Sequence, residues 1–231
     1  RVTAVSESLK QDTLRLFDIT TKIDVITNFI DIKKIEAKEM PCKRDLLAPK
    51  SDKIITHISN FRPLKRIQDV IKIFEKISST VSSKLLMVGE GPEKQKAVDY
   101  VKEKGLTESI SFLGNSNEID KILCYSDLFL LPSEKESFGL SALEAMANKV
   151  PVISSNAGGI PEVNKDNFSG YLSDVGDLDG MAKNALLLLQ DDIKLEQFKE
   201  QAKEQASLFD IDAIISQYET VYSEAIASNQ F

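Results

Sequence analysis

Short apolar runs rich in β-branched residues alternate along this chain with longer amphipathic stretches. Two of the runs, Leu85–Val88 and Leu128–Leu131, are apolar at every position, which is typical of strands buried on both faces of a sheet. In Arg66–Ser78, apolar residues recur at helical spacing and predict one buried stripe. The alternation therefore predicts an α/β fold, a parallel sheet with helices on both faces.

The same pattern places eight strands and eight helices in the chain. The predicted strands are Val2–Val5, Ile23–Ile26, Ile54–Ser59, Lys84–Val88, Ser111–Leu113, Asp127–Leu131, Val152–Ser154 and Gly170–Leu172. The predicted helices are Ser6–Phe17, Arg66–Ser78, Pro92–Lys104, Asn117–Leu123, Gly139–Ala147, Leu178–Leu189, Lys194–Ser207 and Ile211–Ala227. Residues 33–53 are charged and contain two prolines, and we interpret them as a surface connection.

Composition excludes several classes of protein. The chain has 231 residues, 42% of them hydrophobic, and its 36 acidic and 29 basic side chains give a net charge of -7. The hydrophobic fraction is ordinary for a globular protein. The negative net charge disfavours nucleic acid as a partner. No apolar run reaches the roughly 18 residues of a membrane span, and from the residues given we expect no secretory signal. Because Cys42 and Cys124 lie outside any CxxC motif, we predict reduced thiols in a cytoplasmic protein.

One polar loop combines carboxylates, a glycine and the start of a helix. It runs from Ser133 to Gly139, after a predicted strand, and the helix that follows contains Glu144. Such a junction directs backbone N–H groups and the positive end of a helix at an anion. Glu136 and Glu144 would be about 12 Å apart along a helix, farther than the ~5 to 9.5 Å of paired glycosidase carboxyls. They suit two parts of one extended ligand, and the alternative is a solvated surface.

A second loop concentrates positive charge in this acidic chain. Arg62, Lys65 and Arg66 follow the predicted strand Ile54–Ser59 and precede a helix. Arginine offers a planar fork to phosphate, and lysine offers a mobile point charge. The loop therefore indicates a phosphate site, with a solvated basic turn as the alternative.

Glycines mark two further loops after predicted strands. Val88-Gly89-Glu90-Gly91 has the shape of a dinucleotide loop, but Lys94 occupies the position of the third glycine. A tight turn between strand and helix is the alternative. Gly158 and Gly159 permit a close backbone approach or a positive φ, so their loop is either a structural turn or a wall of the ligand site.

Other signals are interpreted as structural. Asp177-Leu178-Asp179 matches the DxD of metal-dependent sugar transferases, but it stands at a predicted helix start, where aspartate is a common cap. Asp210-Ile211-Asp212 is interpreted in the same way. His57, the only histidine, lies inside an apolar strand and is predicted to be a hydrogen-bonded core residue. Because zinc spacing and a GxSxG nucleophile elbow are both absent from the sequence, we predict neither a metal site nor a hydrolase triad.

Four motifs occur in one order along the chain: residues 60–66, residues 88–92, the pair Glu136 and Glu144, and residues 158–162. Together they resemble the donor-nucleotide domain of a retaining GT-B glycosyltransferase of family 4. The resemblance covers essentially the whole chain and implies a Rossmann-like sheet that binds a nucleotide sugar. Residues 59–66 and 132–140 resemble in particular the bacterial members that transfer GlcNAc from UDP-GlcNAc to L-malate at the start of bacillithiol biosynthesis.

The resemblance implies a role for each motif. Arg62 and Lys65 would neutralise the diphosphate of UDP, and since many family members space these two residues farther apart, Arg66 could share the role. Glu136 would contact the donor sugar near the reacting carbon, and Glu144 would bind the ribose hydroxyls. The sugar and phosphate would be held by the backbone around Ser137, Phe138, Gly139 and Leu140. Uracil would lie near Gly89, Glu90, Asn115 and Ser116.

The resemblance also implies how the chain is organised. Residues 1–31 would be a remnant of an N-terminal domain with its linker, residues 32–205 the nucleotide-sugar domain, and residues 206–231 a helix that crosses back. Two cations and a helix N-terminus would stabilise departing UDP, so neither cofactor nor metal is implied. Because acceptor contacts would come from a missing N-terminal domain, we expect this chain alone to bind UDP and to transfer no sugar.

Several alternatives stay open at this stage. The chain could belong to an enzyme of the same family with another donor sugar or acceptor, or it could be a non-catalytic nucleotide-binding module. A homo-oligomer is also open. The missing third glycine disfavours a nicotinamide-dependent oxidoreductase.

Overall fold

The computed structural model describes residues 1–37, 44, 49 and 51–228. The described strands agree with the predicted ones to within one residue at each end. They are β1 (Val2–Ala4), β2 (Ile23–Val25), β3 (Lys53–Ile58), β4 (Ser83–Val88), β5 (Ile110–Gly114), β6 (Leu128–Leu131), β7 (Val152–Ser155) and β8 (Gly170–Ser173).

The eight predicted helices are also present, with ends that differ from the prediction by at most two residues. The described helices are α1 (Glu7–Leu16), α2 (Ile32–Glu36), α3 (Ile67–Ser78), α4 (Lys94–Glu103), α5 (Ile119–Tyr125), α6 (Leu140–Ala147), α7 (Ile160–Val163), α8 (Leu178–Leu189), α9 (Asp192–Ser207) and α10 (Ile211–Ser228). The prediction missed α2 and α7 because each forms little more than one turn. The interpretation of residues 33–53 as a surface connection is wrong for residues 33–36. These residues belong to α2, whose N-terminus is capped by Asp31, because the Asp31 side chain accepts a hydrogen bond from the Lys34 N–H.

Six strands form one parallel sheet in the order β5-β4-β3-β6-β7-β8. The strand order reverses between β3 and β6, where Ile55 pairs with Leu128. Ligands of such sheets bind outside the C-terminal ends of the strands, at this point of reversal. The predicted α/β fold with a Rossmann-like parallel sheet is confirmed.

Successive side chains of the central strands pack against opposite layers of helices. On β6, Leu128 and Leu130 face a core formed with α3, α4 and α8. Phe129 and Leu131 face the other core, formed with α6 and α9. Because both faces are covered, the apolar run in this strand is fully buried, as its composition predicts.

The first and last segments of the chain contact each other outside the large sheet. β1 and β2 form a separate two-stranded parallel sheet. The Ile30 N–H donates to the Phe209 carbonyl at 2.9 Å, and the Ile211 N–H donates to the Ile30 carbonyl at 2.9 Å. The Tyr218 hydroxyl of α10 donates to the Ile26 carbonyl at 3.2 Å. The division into residues 1–31, 32–205 and 206–231 stays a prediction.

Both aspartate pairs act at helix starts, as predicted. Asp177 accepts a hydrogen bond from the Gly180 N–H of α8 at 2.8 Å, and Asp210 accepts one from the Asp212 N–H of α10 at 2.9 Å. The prediction of reduced thiols is wrong for Cys124, which is disulfide-bonded. Cys42 lies outside the described residues. None of the helices described here is long and apolar enough to cross a bilayer.

Gly170 generates a stability prediction because the edge strand β8 approaches β7 without room for a side chain. A Cβ atom on Gly170 would lie 1.8 Å from the Val152 carbonyl oxygen. We expect Gly170→Ala to lower the free energy of unfolding by about 3 kcal/mol.

Gly105→Ala is the matched control, since Gly105 has φ +68° and no atom within 4 Å of its added Cβ. It should cost only about 1 kcal/mol, the penalty of a positive φ. Urea denaturation of both variants measures the difference, and equal losses would contradict the steric explanation.

Candidate functional site

A cavity of about 600 Å³ opens at the C-terminal edge of the large sheet. Its walls come from the loops after β3, β6 and β7 and from one side of α1. Arg62 and Lys65 line it from the first loop, and Glu136 and Ser137 line it from the second. Four of the predicted site residues, from loops more than 70 positions apart in sequence, therefore meet at one place.

Lys65 and Glu136 form an ion pair across this cavity. The Lys65 Nζ donates to Glu136 Oε1, and the Ser133 hydroxyl donates to the same oxygen at 3.0 Å. The two charged side chains are only 14% and 11% exposed. Water therefore screens the pair weakly, and Glu136 is held in one orientation.

The backbone of the Glu136 loop is fixed by contacts with two neighbouring loops. The Glu134 N–H donates to the Leu64 carbonyl at 2.8 Å, which ties this loop to the one that carries Lys65. From the other side, the Gly159 N–H donates to the Glu136 carbonyl at 2.9 Å. A Cβ on Gly158 would lie 2.0 Å from that same carbonyl oxygen. The glycine pair is therefore both a close-packed turn and, through Gly158, part of the cavity wall.

A second cavity, of about 570 Å³, lies at the ends of β3, β4 and β5. It gathers the four residues predicted to lie near uracil, Gly89, Glu90, Asn115 and Ser116. Glu90 is held by Lys94 at 2.5 Å. The loop after β3 contributes to both cavities, which places the two sets of predicted residues on either side of it.

The other predicted residues lie outside the linings of these two cavities. The Arg66 side chain is bound by Asp69, with Nε to Oδ2 at 2.6 Å. Phe138 is buried in the core, where its ring meets Phe209 edge-on at 5.6 Å. Leu140 is half exposed at the first position of α6.

Gly139 precedes α6, and no side chain caps the N-terminus of this eight-residue helix. Glu144 is half buried about one turn along it. Burial and the neighbouring charge of Asp120 raise the pKa of Glu144 above its usual value. Glu144 is not among the residues that line the cavity of Glu136.

His57 supports the loop that carries Arg62 and Lys65. Its Nδ1 donates to the Leu130 carbonyl at 2.8 Å, so Nε2 is the acceptor for the Ser59 hydroxyl at 2.8 Å. Ser59 Oγ in turn accepts the Phe61 N–H at 3.3 Å. The side chain is fully buried, which confirms the prediction of a hydrogen-bonded core histidine. Burial, opposed by the Leu130 bond and assisted by Lys65, lowers its pKa to about 4.

Sequence reasoning missed the contribution of α1 to the site. Ser8, Leu9 and Asp12 line the first cavity from this helix, although α1 lies far from the motif loops in sequence. A local pattern gives no sign of this contact, which depends on how α1 packs. Across the described ranges of the chain, no group of three or more histidine, cysteine, aspartate or glutamate side chains is arranged to hold a metal ion.

Comparison with known proteins matches residues 42–205 to the family of glycosyl transferases group 1. N-acetyl-alpha-D-glucosaminyl L-malate synthase from Bacillus anthracis is 42% identical over 99% of this chain and 61% of its own length. A poly(ribitol-phosphate) alpha-N-acetylglucosaminyltransferase from Staphylococcus aureus is 30% identical over 88% of this chain and 39% of its own. The crystal structure of a Staphylococcus aureus TarM variant with fondaparinux, alpha-GlcNAc-glycerol and UDP superposes with a TM-score of 0.83, at 27% identity, over 96% of this chain and 43% of TarM.

The chain belongs to the glycosyl transferases group 1 family, and the resemblance drawn from the four motifs is confirmed. It spans 61% of the length of the Bacillus anthracis enzyme and less of the other two proteins. The roles of the individual site residues stay predictions.

The buried His57 generates a prediction for stability against pH. Its pKa falls from 6.5 in the unfolded chain to about 4 in the folded one, so between these values the unfolded chain binds more protons. Stability from this group is complete above about pH 6.5 and is lost toward pH 4, by about 3 kcal/mol in total.

Urea unfolding at several pH values between 4 and 7.5 measures this loss. The His57→Gln variant cannot titrate at this position and is the control. We expect its unfolding free energy to fall less steeply with acid than that of the wild type. Parallel curves for the two proteins would contradict the assignment.

Proposed function

We propose that this chain is the UDP-GlcNAc-binding part of a retaining glycosyltransferase that transfers GlcNAc to L-malate. The observation that carries the proposal is the meeting of Arg62, Lys65 and Glu136 at one cavity beside the reversal of strand order. Breaking a sugar–phosphate bond builds negative charge on UDP and positive charge on the sugar ring. Two cations and a carboxylate in one cavity match both charges.

The departing diphosphate would be stabilised by this chain's own positive groups. Arg62 offers a bidentate fork and Lys65 a point charge. The N-terminus of α6, which no side chain caps, adds a partial positive charge near the Glu136 loop. Because these groups supply the charge that a divalent ion would supply, we propose a reaction that requires neither metal nor cofactor.

Glu136 would stabilise the sugar during transfer. Lys65 and Ser133 hold its carboxylate in place before the ring becomes cationic, so little reorganisation is needed at the moment of reaction. The acceptor hydroxyl would attack the face from which UDP departs. A bond from the acceptor oxygen to the anomeric carbon then replaces the bond to phosphate with retention, and the hydroxyl proton passes to the leaving phosphate.

The nucleoside would extend away from this cavity. The second cavity, lined by Gly89 and Asn115, would accept the uracil. Glu144 would accept hydrogen bonds from the ribose hydroxyls, and its partial burial limits competition from water. In this arrangement the two glutamates contact different parts of the donor, as their spacing predicts.

Similar proteins support the choice of substrates. The name of the Bacillus anthracis relative specifies GlcNAc and L-malate, and TarM was crystallised with UDP and alpha-GlcNAc-glycerol. The chain spans only part of these proteins, and we propose that a further domain supplies the contacts to the acceptor. We also propose that the isolated chain is inactive and that the protein is cytoplasmic.

Arg62 and Arg66 give a matched pair for testing the phosphate contact. Arg62 lines the cavity, whereas the Arg66 guanidinium is bound to Asp69. We expect Arg62→Ala to weaken UDP binding by roughly 10- to 100-fold, the loss of a charge-assisted contact, and Arg66→Ala by less than about threefold.

Calorimetry in buffer with EDTA measures both affinities and the metal requirement together. Absence of a heat signal from the wild-type chain at millimolar UDP would overturn the proposed donor site. Binding that appears only after Mg²⁺ is added would overturn metal independence. A larger loss in Arg66→Ala than in Arg62→Ala would reassign the phosphate contact to Arg66.

Glu144 tests the position of the ribose. Glu144→Ala should weaken UDP by roughly tenfold, since hydrogen bonds to a carboxylate are lost, and should leave pyrophosphate affinity nearly unchanged. Pyrophosphate is the control ligand because it keeps the charge and lacks the ribose. Competition titrations with the two ligands measure the ratio, and equal losses would contradict the ribose assignment.

A further inference from the structure

Glu162 binds the N-terminus of a helix that lies far from it in sequence. Its Oε2 accepts the Glu7 N–H at 2.8 Å, and its Oε1 accepts the Ser8 N–H at 2.8 Å. Ser6 completes the cap, because its Oγ accepts the Leu9 N–H at 3.0 Å. The first three backbone N–H groups of α1 are therefore satisfied, two of them by one carboxylate from α7.

The same end of α1 contacts the loop that carries Glu136. The Ser6 hydroxyl, which is fully buried, donates to the Ser137 carbonyl at 2.6 Å. On the opposite side, the Gly159 N–H donates to the Glu136 carbonyl. The peptide groups of Glu136 and Ser137 are thus held between α1 and the turn that precedes Glu162.

Beyond this junction, α1 forms one wall of the first cavity. Ser8, Leu9 and Asp12 line it together with Arg62 and Lys65. The distance between α1 and these cations sets how much room remains for a second substrate. A contact that fixes α1 therefore also fixes the shape of this part of the cavity.

We propose that Glu162 is a positioning residue that holds α1 across the cavity by binding the Glu7 and Ser8 N–H groups, and thereby places the acceptor next to the donor sugar. This inference rests on the proposed function. Glu162 need not touch either substrate in this role, so its removal should change acceptor binding more than donor binding.

Glu7 provides a variant that deletes one hydrogen bond without altering Glu162. Glu7 is the first residue of α1, a position that favours proline, and the extended Ser6 (φ -156°, ψ 158°) is compatible with a following proline. Glu7→Pro removes the N–H group that Glu162 binds. Glu7→Ala is the matched control, since it removes the same exposed carboxylate and retains the N–H.

Hydrogen exchange of this chain reports on the contact itself. We expect amide exchange in residues 8–12 to accelerate roughly tenfold in Glu7→Pro relative to Glu7→Ala, as for loss of a helix cap. Glu162→Gln should do the same, because its amide offers a single acceptor oxygen. The double variant should exceed Glu162→Gln by less than about twofold, since both changes remove one interaction. Equal exchange in Glu7→Pro and Glu7→Ala would overturn the proposal.

Steady-state kinetics of the full-length enzyme separate positioning from general destabilisation. In Glu162→Gln, KM for L-malate should rise roughly fivefold or more, while KM for UDP-GlcNAc stays within about twofold. Equal changes in both values, or none, would overturn the proposal.

UDP calorimetry of the wild-type chain distinguishes failure of the proposed function from failure of the proposed role of Glu162. If the wild-type chain does not bind UDP, the proposed function is refuted. If it binds UDP but amide hydrogen exchange is unchanged in the variants, only the role of Glu162 is refuted. If Glu7→Pro does not fold, hydrogen exchange and steady-state kinetics are both measured on Glu162→Gln.

Discussion

The site depends on a constraint of topology, the reversal of strand order between β3 and β6 in an all-parallel sheet. At this point neighbouring strands are followed by loops that diverge to opposite sides, which leaves a crevice at the C-terminal edge. The loop after β3 brings Arg62 and Lys65 to it, and the loop after β6 brings Glu136. Side chains separated by about 70 residues in sequence become neighbours because their strands are adjacent in the sheet.

Electrostatics then defines what this crevice can bind. Lys65 and Glu136 neutralise each other while both are mostly removed from water, and Arg62 adds a further cation to the same cavity. A ligand that carries negative charge beside a polar ring can interact with all three. Neutral groups support this arrangement: the Ser133 hydroxyl donates to Glu136, the Ser59 hydroxyl donates to His57, and the Leu64–Glu134 backbone bond joins the two loops.

The fold could be predicted from sequence because its signals are local. The apolar runs at Leu85–Val88 and Leu128–Leu131 and the amphipathic stretches between strands gave the sheet and eight helices. The short helices α2 and α7 were missed because a single turn carries too few residues for a periodic pattern. The resemblance drawn from the four motifs implied that Arg62, Lys65 and Glu136 contact one donor, and the three side chains line one cavity. By contrast, the separation of Glu144 from that cavity and the wall formed by α1 arise from packing between distant segments, which local spacing does not encode.

The turn that begins with Gly158 also sets the spacing between the Glu136 loop and the N-terminus of α1. Each residue added to a helix rotates the following side chain by about 100° and advances it by 1.5 Å. Glu162 reaches the end of α1 while the Gly159 N–H stays bonded to the Glu136 carbonyl, with only Ile160 and Pro161 between them. Lengthening or shortening this segment by one residue would turn the carboxylate away from α1. The number of residues between the glycine pair and this glutamate is therefore fixed by geometry, while the Ile160 side chain is constrained separately by its full burial in the core.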